Sequence, residues 1–171
     1  MSIINVVGAK IWGGGEQYVY DICKQLQQRH RTAYILVDQS NEDMQSRYAQ
    51  VGHVMTANLY TLKGFLSVNA VAKQMKEQGI NTIVCHSGKY ILFCIALKQL
   101  TGAKLVFIKH NLVPGKTDIY HRWINAQVDA FVCVSKLVYD DLMTPAIKDT
   151  SKYHVVYNGI DPNRFQSFSD A

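Results

Sequence analysis

Proline is scarce here, at 3 in 171 residues, and charged residues make up only 18% of the chain. With 48% apolar residues and 11 glycines, that excludes a proline-rich disordered chain, a collagen-like repeat and a coiled coil. No apolar run approaches the ~18–20 residues of a membrane span. Met1-Ser2-Ile3-Ile4-Asn5 has no basic segment before its apolar stretch, so no secretory signal is read there. The cysteines, Cys23, Cys85, Cys94 and Cys133, form no C-x-x-C pair and each stands among apolar neighbours, so buried reduced thiols are expected. The histidines show neither H-E-x-x-H nor H-x3–5-H spacing, and no metal site is expected. A chain of this length suits one domain that needs no metal or disulfide staple.

Acids are the other shortage. Net charge is +5, from 18 Lys and Arg against 13 Asp and Glu. Between His86 and Arg122 lie Lys89, Lys98, Lys104, Lys109, Lys116 and Arg122, with Asp118 as the one acid, so this stretch carries the whole excess. Such a field favours an anionic ligand or an anionic surface. The alternative is a solvated face of snorkelling lysines. No nucleic-acid partner is expected.

Short apolar runs alternate with helical patterns. Strands are expected at 3–7, 33–37, 53–56, 82–86, 104–108, 130–134 and 153–157. The first helix runs over 16–28, with Val19, Ile22, Cys23 and Leu26 on one stripe. Asn41 can cap a second helix reaching about Gln50. A third, over 65–78, turns Phe65, Val68, Val71, Ala72 and Met75 inward and stops at Gly79. Further helices are expected over 90–100, ended by Gly102, over 120–127, and from the Ser135 cap to Met143. Strands apolar on both faces belong to a parallel sheet covered by helices on each side. The expected fold is therefore α/β, a doubly wound, mostly parallel, Rossmann-like sheet over 1–165. Residues 166–171 have no periodicity and read as a linker or a cut end.

In an open parallel sheet, ligands bind beyond the carboxyl ends of the strands. The candidates are the loops there: 8–15, Asp38, 86–89, 109–111, 135–136 and 158–159. Gly13-Gly14-Gly15-Glu16 runs straight into a helix, where backbone N–H groups and the positive dipole end can hold a phosphate. The same glycines would also suit a turn that merely lets helix and sheet pack. A dinucleotide fingerprint, with Asp38 on the ribose, fails because Tyr18 stands where the third glycine belongs. A phosphate loop ending in Gly115-Lys116-Thr117 fails because His110 occupies its first glycine. His86 and His110 each end a strand expected to be central, at the same sheet edge, and could hydrogen-bond a sugar or phosphate, or shuttle a proton. Ser87 and Ser135 lie outside any G-x-S-x-G, which argues against a serine hydrolase. Asn158-Gly159 supplies a sharp turn after the last strand.

Several segments together resemble the N-terminal half of a family 4, GT-B glycosyltransferase. They are Gly14-Gly15-Glu16, the histidine-ended strand at His110, the run from Asp129 to Lys136, and Val156-Tyr157-Asn158-Gly159-Ile160-Asp161-Pro162-Asn163-Arg164-Phe165. The ordered set spans nearly the whole chain. The resemblance implies transfer of a sugar from a nucleotide-diphosphate sugar to an acceptor hydroxyl with retention, in polysaccharide or glycolipid biosynthesis. It implies no metal and no cofactor beyond that co-substrate. It places the donor diphosphate on Gly14 and Gly15, Gly13 being one glycine more than usual, and His110 at the reacting centre. Acceptor or sugar contacts are expected from His86, Ser87, Lys109, Asn111, Ser135 and Asn158. The implied partners are a glycan or glycolipid acceptor and the protein's own C-terminal, donor-binding domain. Without that domain these residues should lack the nucleotide pocket and most of the activity. The expected location is the cytoplasm, with peripheral contact at the inner face of the membrane. Tyr60 to Leu66, with Lys73 and Lys76, mixes aromatic, aliphatic and basic residues in a way that suits an anionic membrane surface or ordinary packing. A nucleotide-binding module of a reductase or epimerase, or a non-catalytic carbohydrate-binding domain, remains as an alternative.

Overall fold

Runs such as Ile3-Ile4-Asn5-Val6-Val7 have too few polar residues to face water on either side, so they fold into the middle of the molecule. The computed structural model describes residues 2–60, 64–143, 147 and 150–159. The strands are β1 (Ile3–Val7), β2 (Tyr34–Asp38), β3 (His53–Ala57), β4 (Thr82–Cys85), β5 (Lys104–Lys109), β6 (Ala130–Cys133) and β7 (Tyr153–Val155). Between them run α1 (Gly14–Gln28), α2 (Glu42–Ala49), α3 (Gly64–Glu77), α4 (Ile91–Thr101), α5 (Ile119–Gln127) and α6 (Lys136–Leu142). Every strand pair among the described residues is parallel, in the order β3-β2-β1-β4-β5-β6-β7.

The strand order reverses between β1 and β4. The chain steps outward to β3, crosses back through α3, and steps outward again in the other direction. Right-handed crossovers then put α1 and α2 on one face and α3 to α6 on the other. Val7, Ile35 and Val37 pack with Val19 and Cys23 of α1 and with Met44 and Tyr48 of α2. Ile4, Val6, Leu36 and Ile83 pack with Met75, Leu97, Ile124 and Val138 on the opposite face. The carboxyl ends of β1 and β4 form the switch point, the place at which doubly wound sheets bind ligands.

The expected strands and helices are all present, with shifted ends. Helix α1 begins at Gly14, two residues before the expected start, with Gly13 extended at its N-cap. Glycines carry no apolar periodicity, so the pattern could not register them. The side chains of Asn41, Asp118 and Ser135 cap α2, α5 and α6 by accepting from the N–H of Met44, His121 and Val138. Gly102 closes α4 in the left-handed region, at φ 72°. β4, β6 and β7 end before His86, Val134 and Val156, which leaves those residues in the loops. All four cysteines are buried and free. Residues 61–63, 160–171 and the Phe65 side chain lie outside the described residues, and with them most of the Ile160–Phe165 motif, the domain end at 165 and part of the Tyr60–Leu66 segment.

Candidate functional site

Two loops meet at the switch point. The turn after β1 delivers Gly14 and Gly15 at the first turn of α1, where N–H groups have no carbonyl within the helix to bind. Glu16 reaches back, and its carboxylate accepts from the Gly13 N–H at 3.1 Å. A Cβ on Gly15 would sit 3.8 Å from the His110 ring, so the turn and the end of β5 form one wall.

His110 belongs to a hydrogen-bonded chain that starts inside the sheet. Asn5, in the middle of β1 and 4% exposed, holds its Oδ1 3.1 Å from His86 Nε2. His86 Nδ1 lies 3.0 Å from His110 Nε2, with the two rings stacked. Tyr18 of α1 sets its ring edgewise against both imidazoles. Burial, with His110 beside it, pushes His86 down to about 3, and burial lowers His110 as well. Both imidazoles are therefore neutral at pH 7.

Beyond His110 a cavity of about 340 Å³ opens between the ends of β4 and β5, the 111–118 loop and α5. Its floor is apolar, built from Ile91, Phe107, Ile124, Val128, Phe131 and Leu142. Its polar rim includes Lys109, His110, Asn111, Lys116 and His121, and no described lining residue is a carboxylate. Gly115 lets the loop lie against α6, because a Cβ there would collide with the Leu142 carbonyl oxygen. Lys109 is half-buried above the Phe107 ring and makes no ion pair with a described residue. Burial pulls its ammonium down; Cys133 and Asp141 act against that, and Lys116 reinforces it. Val113 and Tyr120 line the cavity and are exposed, with Lys116 between them in the chain; Leu112, Ile119 and Trp123 are also exposed in this stretch.

The structure thus gathers His86, Ser87, Lys109, His110 and Asn111 on one cavity, with Gly15 against His110. It does not bring Ser135 or Asn158 there. The Ser135 oxygen caps α6 by accepting the Val138 N–H, and Asn158 is exposed past β7. Ser87 lines the cavity but also caps the short 3-10 turn Gly88–Tyr90. Asp38 is not free for a ribose: its carboxylate accepts from Ser40 and from the Leu59 N–H. The sequence reading passed over Asn5 and Tyr18. Asn5 had a signal, as the one polar residue inside an apolar central strand, where a buried amide needs a partner. Tyr18 had none. Nor is the basic stretch a single field: Lys98 and Lys104 share Asp129 at 2.7 and 3.7 Å.

The sequence model of Glycosyltransferase Family 4 matches residues 12–164. The chain belongs to glycosyltransferase family 4. No curated protein matches it. Among solved structures, a glycosyltransferase from Rickettsia africae is 18% identical with a TM-score of 0.79, over 94% of this chain and 43% of that one. HepE from Anabaena, solved with UDP and glucose, is 17% identical with a TM-score of 0.71, over 95% and 46%. A UDP-GlcNAc 2-epimerase from Neisseria meningitidis, bound to UDP-GlcNAc, is 10% identical with a TM-score of 0.63, over 92% and 47%. At these identities the likeness is one of fold. The chain spans under half the length of each of these structures.

Proposed function

We propose that this chain forms the acceptor side of a glycosyltransferase that moves a hexose from a nucleotide-diphosphate sugar to an acceptor hydroxyl with retention. The observation that carries the reading is the position of His110, which touches the space beside Gly15 on one side and lines the 340 Å³ cavity on the other. A donor diphosphate against the N–H groups of Gly14 and Gly15 would set its sugar at His110, with the acceptor in the cavity. The leaving diphosphate gains negative charge as the glycosidic bond breaks, and fixed backbone donors stabilise that charge without reorganising. The nucleotide and the other wall of the cleft belong, on this reading, to the protein's own C-terminal domain. No metal or cofactor takes part.

The cavity's chemistry narrows the acceptor. Among the described residues, an apolar floor with two lysines and no carboxylate suits a molecule with an apolar body and a phosphoryl group, such as a lipid-linked glycan. The exposed Val113 and Tyr120 in the cavity lining, with Lys116 beside them, suit delivery from an anionic membrane surface. Flotation with vesicles that contain or lack anionic lipid tests that delivery; binding indifferent to lipid charge and salt removes it.

The reading is tested by sugar transfer in the full-length gene product. Gly15→Ala fits sterically and should keep most activity, whereas Gly15→Trp fills the space beside His110. Gly15→Trp and His110→Ala should each lower kcat by roughly 100-fold or more, the order of effect when one preorganised contact at a reacting centre is lost. The product should keep the donor's anomeric configuration by proton NMR. Full activity in both variants, or an inverted product, overturns the assignment.

A further inference from the structure

The chain Asn5–His86–His110 has a direction, and that direction fixes which nitrogen of His110 is bare. Asn5 Nδ2 faces the Cys23 sulfur at 3.9 Å, which turns Oδ1 toward His86 Nε2. An amide oxygen can only accept, so His86 Nε2 carries the hydrogen. The ring is neutral, so its Nδ1 holds a lone pair. That lone pair is 3.0 Å from His110 Nε2, which must then be the donor. His110 Nδ1 is left with a lone pair and has no hydrogen-bond partner among the described residues. Tyr18 packs edgewise on both rings and, with the stacking of the two imidazoles, restrains them from flipping.

We propose that Asn5 and His86 are positioning residues that hold His110 in its Nε2–H tautomer and so present Nδ1 as a pure hydrogen-bond acceptor. An acceptor nitrogen can take the hydrogen of a hydroxyl and has nothing to offer a phosphate oxygen. His110 therefore selects a sugar hydroxyl and leaves the diphosphate to the backbone N–H groups of the turn. The Cys23 thiol supports the same polarity: burial pushes it up to about 12, so its sulfur stays protonated and serves as the weak acceptor for Asn5. That the partner of Nδ1 is a sugar rests on the function proposed above; the tautomer does not.

Nitrogen-15 NMR of the labelled full chain at pH 7, reading two-bond couplings from ring nitrogens to ring protons, reports each tautomer directly. The expected result is Nε2–H for both His86 and His110. His86→Phe removes the acceptor for His110 Nε2–H and should shift His110 to a mixture of tautomers. His86→Gln restores a carbonyl oxygen and should return His110 to Nε2–H, a rescue that a purely structural role would not require. A wild-type His110 protonated on Nδ1, an imidazolium at either position, or a His110 tautomer unmoved by His86→Phe overturns the proposal. Should His86→Phe fail to fold, the wild-type tautomer decides alone. The expected tautomer in a protein that transfers no sugar would overturn the functional reading and leave the relay standing. The reverse tautomer in an active enzyme would do the opposite.

Discussion

Strand β5 carries a lysine at each end, and the two ends are built for different work. At the amino end, Lys104 lies 3.7 Å from Asp129, and Lys98 lies 2.7 Å from the same carboxylate. Asp129 also accepts the Leu105 N–H at 2.8 Å, and Lys98 donates to the Gln127 carbonyl at 2.6 Å. Burial alone would raise the Asp129 carboxyl; the Leu105 N–H, then Lys98 and Lys104, outweigh it and hold it below its ordinary value. At the carboxyl end, Lys109 is half-buried beside Lys116, with no carboxylate among the described residues that line the cavity. Charge at the amino edge ties the β5–β6 connection to α4. Charge at the carboxyl edge is left over, on the side where a doubly wound sheet binds its ligand.

The largest expected effect breaks the amino end. Asp129→Ala leaves the Leu105 N–H without its acceptor and Lys98 without its counter-charge, with only the Gln127 carbonyl to take its hydrogens, which should cost about 2–3 kcal/mol, read as a lower urea midpoint. A loss below about 0.5 kcal/mol, the range of ordinary surface substitutions, would show that the two ends do not differ as described.

Lys109→Met tests the other end with the opposite sign. Lys109 is half-buried without an ion pair to a described residue, and the field of Asp141 and Cys133 offsets only part of its burial, so its removal should leave stability unchanged or raise it slightly. Affinity for dodecyl phosphate, measured by calorimetry, should fall roughly 10- to 100-fold, as for a lost charge-assisted hydrogen bond. Dodecanol and inorganic phosphate, each carrying half of the proposed chemistry, should bind more weakly than dodecyl phosphate to the wild type. Equal binding of dodecyl phosphate by Lys109→Met would place the anion elsewhere.

Acid acts on the histidine relay. His86 titrates at about 3 when folded against 6.5 when exposed, so its contribution is complete above pH 6.5 and is lost as pH falls toward 3. The urea midpoint should slope downward across that window, and His86→Gln should flatten the slope. Asp129 adds a fall at lower pH, because its depressed carboxyl contributes above the unfolded value and loses that contribution on protonation. The smallest effect belongs to Lys116→Met. Lys116 is exposed on the loop, so dodecyl phosphate affinity should drop by only a few-fold and by less at high salt.

Much of this architecture was legible in the sequence, because strands buried on both faces and helices with one apolar stripe are local signals. His86 and His110 could be placed at the carboxyl ends of two strands, on the same sheet edge, for the same reason. Their direct hydrogen bond could not, since it depends on the β4–β5 register and on Asn5, 81 residues before His86 in the chain. The charge count over 86–122 treated Lys98 and Lys104 as part of the ligand field because their partner, Asp129, lies just past the window. Lys116 and His121 join the cavity only through the course of the 111–118 loop, which has no periodic pattern to read. Ser135 had two readings, cap and contact; its oxygen caps α6 by accepting the Val138 N–H, and it lies outside the lining of the His110 cavity.

The most direct test of the account is a crystal structure of the intact protein with a nucleotide-diphosphate sugar or its product bound. The account predicts the diphosphate within hydrogen-bond distance of the Gly14 and Gly15 N–H groups, with a sugar hydroxyl at His110 Nδ1. A diphosphate bound away from that turn, with His110 facing solvent, would contradict it.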